Sequence, residues 1–140
     1  MPGEDNKALV RRFYDEVFNQ RNLAALDELY APDHIDHTLP PELSVGPQGT
    51  KQAIQFMLTG FPDLHVTIED MVAEGDKVVT RFTTHGTQQG VLGGIPPTGR
   101  QVEISTIEIT RIANGKIAED WGLDDRLGML QQLGLVQTTA

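Results

Sequence analysis

The chain changes its hydrophobic period near Phe61, and that change fixes the class of fold open to it. Before Phe61, apolar residues recur with helical spacing. Val10, Phe13, Tyr14, Val17 and Phe18 fall at i, i+3, i+4, i+7 and i+8, which predicts a helix from about Asp5 to Asn19 with one apolar stripe. Leu23, Leu26 and Leu29 predict a short second helix over Leu23 to Tyr30. It stops at Ala31-Pro32, because proline cannot continue the backbone ladder. His34 to Gly49, with Pro40, Pro41 and Pro47, reads as irregular. A third helix is predicted from about Gly49 to Leu58, ending before Gly60 and Pro62.

After Phe61 the period falls to two. Leu64, Val66 and Ile68 alternate with polar residues, the mark of a half-buried strand. Gly75-Asp76 turns the chain into a strand over Val78 to Thr87, and the glycine- and proline-dense Gly90 to Gly99 segment reads as a loop. Val102 to Ile112 and Lys116 to Leu123 are strands joined through Asn114-Gly115. Asn-Gly between β-branched runs predicts a type I′ turn, which needs positive φ at both central residues. Leu127, Met129, Leu130 and Leu133 mark a last helical stretch ending near Gly134. Helices first and then a meander of about four strands predict an α+β fold, in one domain spanning residues 1–140.

Charge narrows the partners. Twenty acidic residues against eleven basic ones give a formal charge of −9, which repels phosphate backbones and anionic membranes. A neutral or weakly charged small molecule is the expected ligand. There is no cysteine, so thiolate chemistry, disulfides and cysteine-bound zinc are excluded. No basic segment followed by an apolar run opens the chain, and no apolar stretch approaches the ~20 residues of a membrane span. A cytoplasmic protein is expected.

Six short motifs in order carry a family resemblance. They are Phe61-Pro62-Asp63-Leu64; Gly75-Asp76-Lys77-Val78 through Arg81; Gly86-Thr87-Gln88-Gln89-Gly90; Gly94-Ile95-Pro96-Pro97-Thr98-Gly99-Arg100; Gly115-Lys116-Ile117-Ala118-Glu119-Asp120-Trp121; and Gln131-Gln132-Leu133-Gly134. Together they resemble the SnoaL-like polyketide cyclases, within the nuclear-transport-factor-2-like superfamily. The resemblance implies a cone-shaped α+β barrel, with N-terminal helices on a curved, mostly antiparallel sheet around a pocket. It also implies homodimers paired through their sheets, and aldol-type ring closure of a polyketide-like carbonyl compound without a cofactor. Two positions depart from the family pattern: Gln88 and Asp120 stand where histidines are usual.

Strand alternation then nominates the site. Ile117, Glu119, Trp121, Leu123 and Asp125 share one face, and a two-residue hairpin would bring Glu108 to that same face. By resemblance Asp125 is the acid/base, because a carboxyl at an apolar wall resists ionising and can pass a proton near neutrality. The competing reading makes it a helix cap, a role assigned here rather to Asp124. Glu108, held neutral, would donate to an enolate oxygen; otherwise it is a surface group or a partner for Arg81. His37 is the third catalytic candidate, as donor or base. Tyr14, Arg81, Thr83, His85, Gln88 and Trp121 are the candidates for binding substrate. Thr83 stands where the related epoxide hydrolases carry an aspartate, which counts against epoxide opening. His34, Asp36 and His37 lack a further carboxylate in place, so no metal site is assigned. Hydrolysis, isomerisation or hydroxylation on the same scaffold, and a non-catalytic binding module, are the alternatives.

Overall fold

The computed structural model describes residues 2–137. The helical half begins with α1 (Pro2–Arg12), which runs without a break into a π-helical segment, Phe13–Asn19. The wider turn closes with the Gln20 N–H donating to the Asp15 carbonyl at 2.9 Å, an i to i+5 bond. It keeps Phe13, Tyr14 and Val17 buried on the core side. A 3₁₀ turn (Leu23–Ala25) leads into α2 (Leu26–Leu29), and α3 spans Pro47–Gly60.

The strand half is β2 (His65–Glu74), β3 (Lys77–Thr87), β4 (Gln101–Ala113) and β5 (Lys116–Asp124), closed by α4 (Arg126–Gln132). One more strand runs from the expected end of the second helix into the stretch read as irregular: β1, Tyr30–Asp36. Only Tyr30 and His34 of its seven residues are buried, and Pro32 interrupts it, so no alternation announces it. Its partner lies far along the chain, since β1 pairs in parallel with β5. The sheet is therefore five-stranded and mixed, in the order β1-β5-β4-β3-β2, with the other pairings antiparallel. It is open at both edges rather than closed on itself, and the helices cover one face.

Two carboxamides fix the helices to strand backbone that no neighbouring strand pairs, one on the edge strand β2 and one on β4 beyond the end of β5. The Asn19 side chain makes a reciprocal pair with the Val66 backbone, 2.9 Å as donor and 2.8 Å as acceptor. The Gln132 side chain does the same to Glu103, at 2.9 and 2.7 Å. Each supplies the donor and acceptor that a missing strand would have supplied. The first clamp sets the π-helical segment over the sheet, where Tyr14 packs against Phe82 with ring centroids 4.6 Å apart. Phe13 stacks on Tyr30 at 5.8 Å, and Val17, Leu26 and Leu29 complete the seam fully buried.

The β4–β5 hairpin decides what faces this core. Asn114 and Gly115 have φ of 52° and 72°, as a type I′ turn demands, and Ile112 pairs with Ile117 as expected. The register then slips. Arg111 pairs with Glu119, so Ala118 is an extra residue in β5. Because side chains alternate with period two, one inserted residue sends everything beyond it to the opposite face. Ile117 and Asp120 are buried, while Glu119, Trp121 and Leu123 turn outward. Alternation from Ile117 predicts the reverse, and this bulge is why.

Candidate functional site

Beyond the bulge, Asp120 pairs with Thr110, and Gly122 pairs with Glu108. All four belong to the helix-covered face. The Glu108 carboxyl lies over Gly122, one oxygen 3.5 Å from where a Cβ would stand, so the missing side chain at 122 leaves it room. From the neighbouring strand β1, His34 places Nε2 2.6 Å from Asp120 Oδ2, with both side chains almost wholly buried. The Tyr30 hydroxyl donates to the same oxygen at a longer 3.4 Å, and its ring stacks on the imidazole with centroids 3.7 Å apart. Tyr14 brings a buried hydroxyl from the π-helical segment, and Thr80 faces Glu108 from β3. Among the described residues neither hydroxyl has a hydrogen-bond partner, nor do Thr50 Oγ1 and His34 Nδ1. Unpaired polar atoms are costly inside a protein and mark places where a bound molecule or water completes the bonding.

Electrostatics separates the groups. Burial pushes Glu108 well above its ordinary 4.5, and the negative charges of Asp120 and then Asp36 push the same way. Glu108 thus holds its proton more tightly than an exposed glutamate does. Burial, with Glu108 and Asp120 nearby, likewise drives the Tyr14 hydroxyl far up, so it stays a donor. Tyr30 rises for the same first reason, then because of Asp120. The cluster therefore offers one carboxyl with a raised pKa, a second carboxyl held by an imidazole, and two phenols. A groove of about 640 Å³ between the first helix and β2, lined by Arg11, Asn19, Ile68 and Met71 among others, reaches Tyr14.

Of the candidates read from the sequence, the fold brings Glu108 and Tyr14 to this cluster. It takes the others elsewhere. Asp125 is exposed and is the N-cap of α4: its Oδ1 accepts the Gly128 N–H at 2.9 Å. The cap thus falls to Asp125 rather than Asp124, and the interior carboxylate of β5 is Asp120. His37 sits on the outer face, stacked on Trp121 at 5.0 Å and 2.6 Å from Glu119, which Arg111 also holds at 2.9 Å. Trp121 is outward with it. His34 and His37 thus face apart and share no ligand. Arg81, Thr83 and His85 line the outer face of β3, where they meet Asp70 (2.8 Å), Glu69 (2.9 Å) and Glu103 (3.5 Å). Gln88 is fully buried, but it is spent on its own loop. Its Oε1 accepts from the Thr98 hydroxyl at 2.8 Å, and its Nε2 donates to the Pro96 carbonyl at 3.2 Å.

His34, Tyr30, Asp120 and Thr80 escape a reading of the sequence. His34 lies in a stretch with no strand pattern, and Asp120 shares the alternation phase of Ala118 until the bulge intervenes. The available signals were the i, i+4 pair Tyr30–His34 before the third helix and the motif position of Asp120, where the family usually carries a histidine. The placement of Asp125 carries its own expectation. Asp125→Ala should lower stability by about 1 kcal/mol, the usual cost of an N-cap. Any turnover should stay within a few-fold of wild type, measured by thermal denaturation and by rate side by side.

Comparison with known proteins agrees with this architecture. The family model described as SnoaL-like polyketide cyclase matches residues 8–133. Nogalonic acid methyl ester cyclase of Streptomyces nogalater is 29% identical over 121 residues, 84% of this chain and 90% of its own. Aklanonic acid methyl ester cyclase DnrD of Streptomyces peucetius is 31% identical over 133 residues, 90% of this chain and 88% of its own. Among solved structures, TsrD from Streptomyces laurentii superposes with a TM-score of 0.85 at 32% identity, covering 95% of this chain and 97% of TsrD. IdmH from Streptomyces antibioticus gives 0.81 at 35% identity, over 92% and 98%. With the match running through every element from α1 to α4, the chain belongs to the SnoaL-like polyketide cyclase family.

Proposed function

We propose that the protein closes a ring in a polyketide-like ester by intramolecular aldol addition, with Asp120 and Glu108 as the base and acid. The Asp120 carboxylate removes a proton from the carbon beside a carbonyl. The resulting enolate carbon attacks a second carbonyl carbon of the same molecule, forming the new C–C bond. The alkoxide left on that carbonyl takes the Glu108 proton. Asp120 returns its proton to Glu108, restoring the pair. No atom is lost and nothing is oxidised or reduced, so the step itself calls for no cofactor. Tyr14 and Thr80, with hydroxyls free to donate, suit the enolate oxygen.

The observation that carries this reading is two carboxyls on adjacent strands of an apolar interior, one of them raised well above its ordinary range. The relatives named as cyclases of nogalonic and aklanonic acid methyl esters support the substrate class, a methyl ester of a polyketide-like acid. Incubation of purified protein with aklanonic acid methyl ester or nogalonic acid methyl ester tests it. A product of unchanged mass with altered chromatographic retention is expected. Binding without conversion would return the chain to a binding module.

The uncovered face of the sheet supports a second proposal, a homodimer. Val72, Val79, Ile107, Ile109 and Leu123 stand exposed there, Leu123 at 83%. Contiguous apolar surface of this kind marks an interface. Leu123→Asp is expected to shift the protein to monomer in sedimentation equilibrium. An unchanged monomer–dimer distribution would count against pairing through this face.

A further inference from the structure

We propose that His34 is a positioning residue for the acid/base pair: its Nε2–H fixes Asp120 as the proton acceptor and leaves Glu108 as the donor. The inference rests on the acid/base reading above and divides the labour between its two carboxyls. Nothing in the two carboxyls alone says which should take a proton and which should give one. The geometry does. Asp120 Oδ2 sits 2.6 Å from His34 Nε2 and accepts a second hydrogen bond from the Tyr30 hydroxyl. Two donors on one oxygen hold the carboxyl in one orientation as an acceptor. Glu108 has no such pair of donors among the described residues and lies beside Tyr14 and Thr80 instead.

His34 is built for this one contact. Its side chain has no measurable exposure, so the bond is made without competition from water. The stacked Tyr30 ring, 19° from parallel, holds the imidazole plane. The backbone is held too: the Gly46 N–H donates to the His34 carbonyl at 2.8 Å, and β1 runs in parallel register with β5 at Asp36 and Asp120. Nδ1 has no partner among the described residues. The one side-chain hydrogen bond of the imidazole among the described residues goes to Asp120. Among the described residues the titratable groups facing Asp120 are His34, Tyr30 and Asp36 from β1, Glu108 from β4 and Tyr14 from the π-helical segment.

His34→Ala, His34→Gln, Asp120→Asn and Glu108→Gln test this together, with aklanonic acid methyl ester as substrate. A glutamine amide can place an N–H where Nε2 stands, and alanine cannot. Alanine should lower kcat about 10- to 100-fold, the value of one hydrogen bond to a charged group. KM should stay within twofold. Glutamine should restore the rate. Should the alanine variant fail to fold, the glutamine variant decides alone: a near wild-type rate supports the proposal. A folded glutamine variant as inactive as Asp120→Asn overturns it, as does a folded alanine variant with wild-type kcat. If Asp120→Asn and Glu108→Gln both keep full activity, the acid/base reading itself fails, whatever His34 does.

Discussion

Asp120→Asn and Glu108→Gln are each expected to lower kcat by about 10²–10⁴-fold, the usual contribution of a positioned acid or base. Both are isosteric and leave the fold in place. Asparagine still accepts from His34 Nε2, and glutamine still lies over Gly122. What each removes is a transferable proton or the lone pair that takes one. The losses should be far from additive, because one proton is shared by the two groups and either change breaks the same cycle. A double variant no slower than the worse single one is the sharper result. Retention of wild-type rate in either single variant would remove that residue from the mechanism.

Glu108→Gln has a second signature, in stability. The folded protein holds the Glu108 proton more tightly than the unfolded chain, because burial and Asp120 raise its pKa above 4.5. Below that value both states are protonated and the stability is fully present. As pH rises from about 4.5 through the folded-state value, the unfolded chain releases the proton first and stability falls. A glutamine amide at this position cannot titrate, so the Glu108→Gln variant should lose this downward slope in chemical denaturation. Asp63 and Glu119 are shifted the opposite way, by the Thr87 backbone N–H and by His37 respectively. Their contribution is fully present above the ordinary carboxylate range and is lost as pH falls through their lowered values.

Gly90→Ala should be among the most damaging single-atom additions. A Cβ at residue 90 would stand 1.9 Å from the Thr59 carbonyl oxygen and 3.0 Å from its carbon. Both are backbone atoms at the end of α3, so no side-chain rotation relieves the contact. The same corner carries the Gln89 and Gly90 N–H groups donating to Gly60 O, at 3.1 and 3.2 Å, and Leu92 buried against Gly60. Moving the loop apart to admit the methyl breaks these contacts together. A loss of about 3 kcal/mol is expected, the upper end of overpacking costs. Calorimetry should then show a Tm drop of roughly 10 °C. Exposed Gln89→Ala, one residue away, should fall within about 0.5 kcal/mol of wild type. A Gly90→Ala protein equally close to wild type would mean the α3–loop contact yields freely.

The periodicity of side chains settled most of this architecture before any coordinates. A period near 3.6 gave the helical half; a period of two, with Asn114-Gly115 between β-branched runs, gave β2 through β5 and the hairpin. These signals are local, because they arise from how neighbouring residues meet a single surface. Six motifs in order pointed to the family, and of the nominated residues Glu108 and Tyr14 lie in the interior cluster. Tertiary structure alone decided the rest. β1 exists because β5 offers it an edge, which no residue within Tyr30–Asp36 announces. Asp120 faces inward because Ala118 is one residue too many for the ladder, and alternation cannot register an insertion in a strand whose partner is out of view. The histidine that meets that aspartate comes from 86 residues earlier in the chain. Sequence spacing describes which face a residue belongs to; the pairing of distant strands determines which face that is.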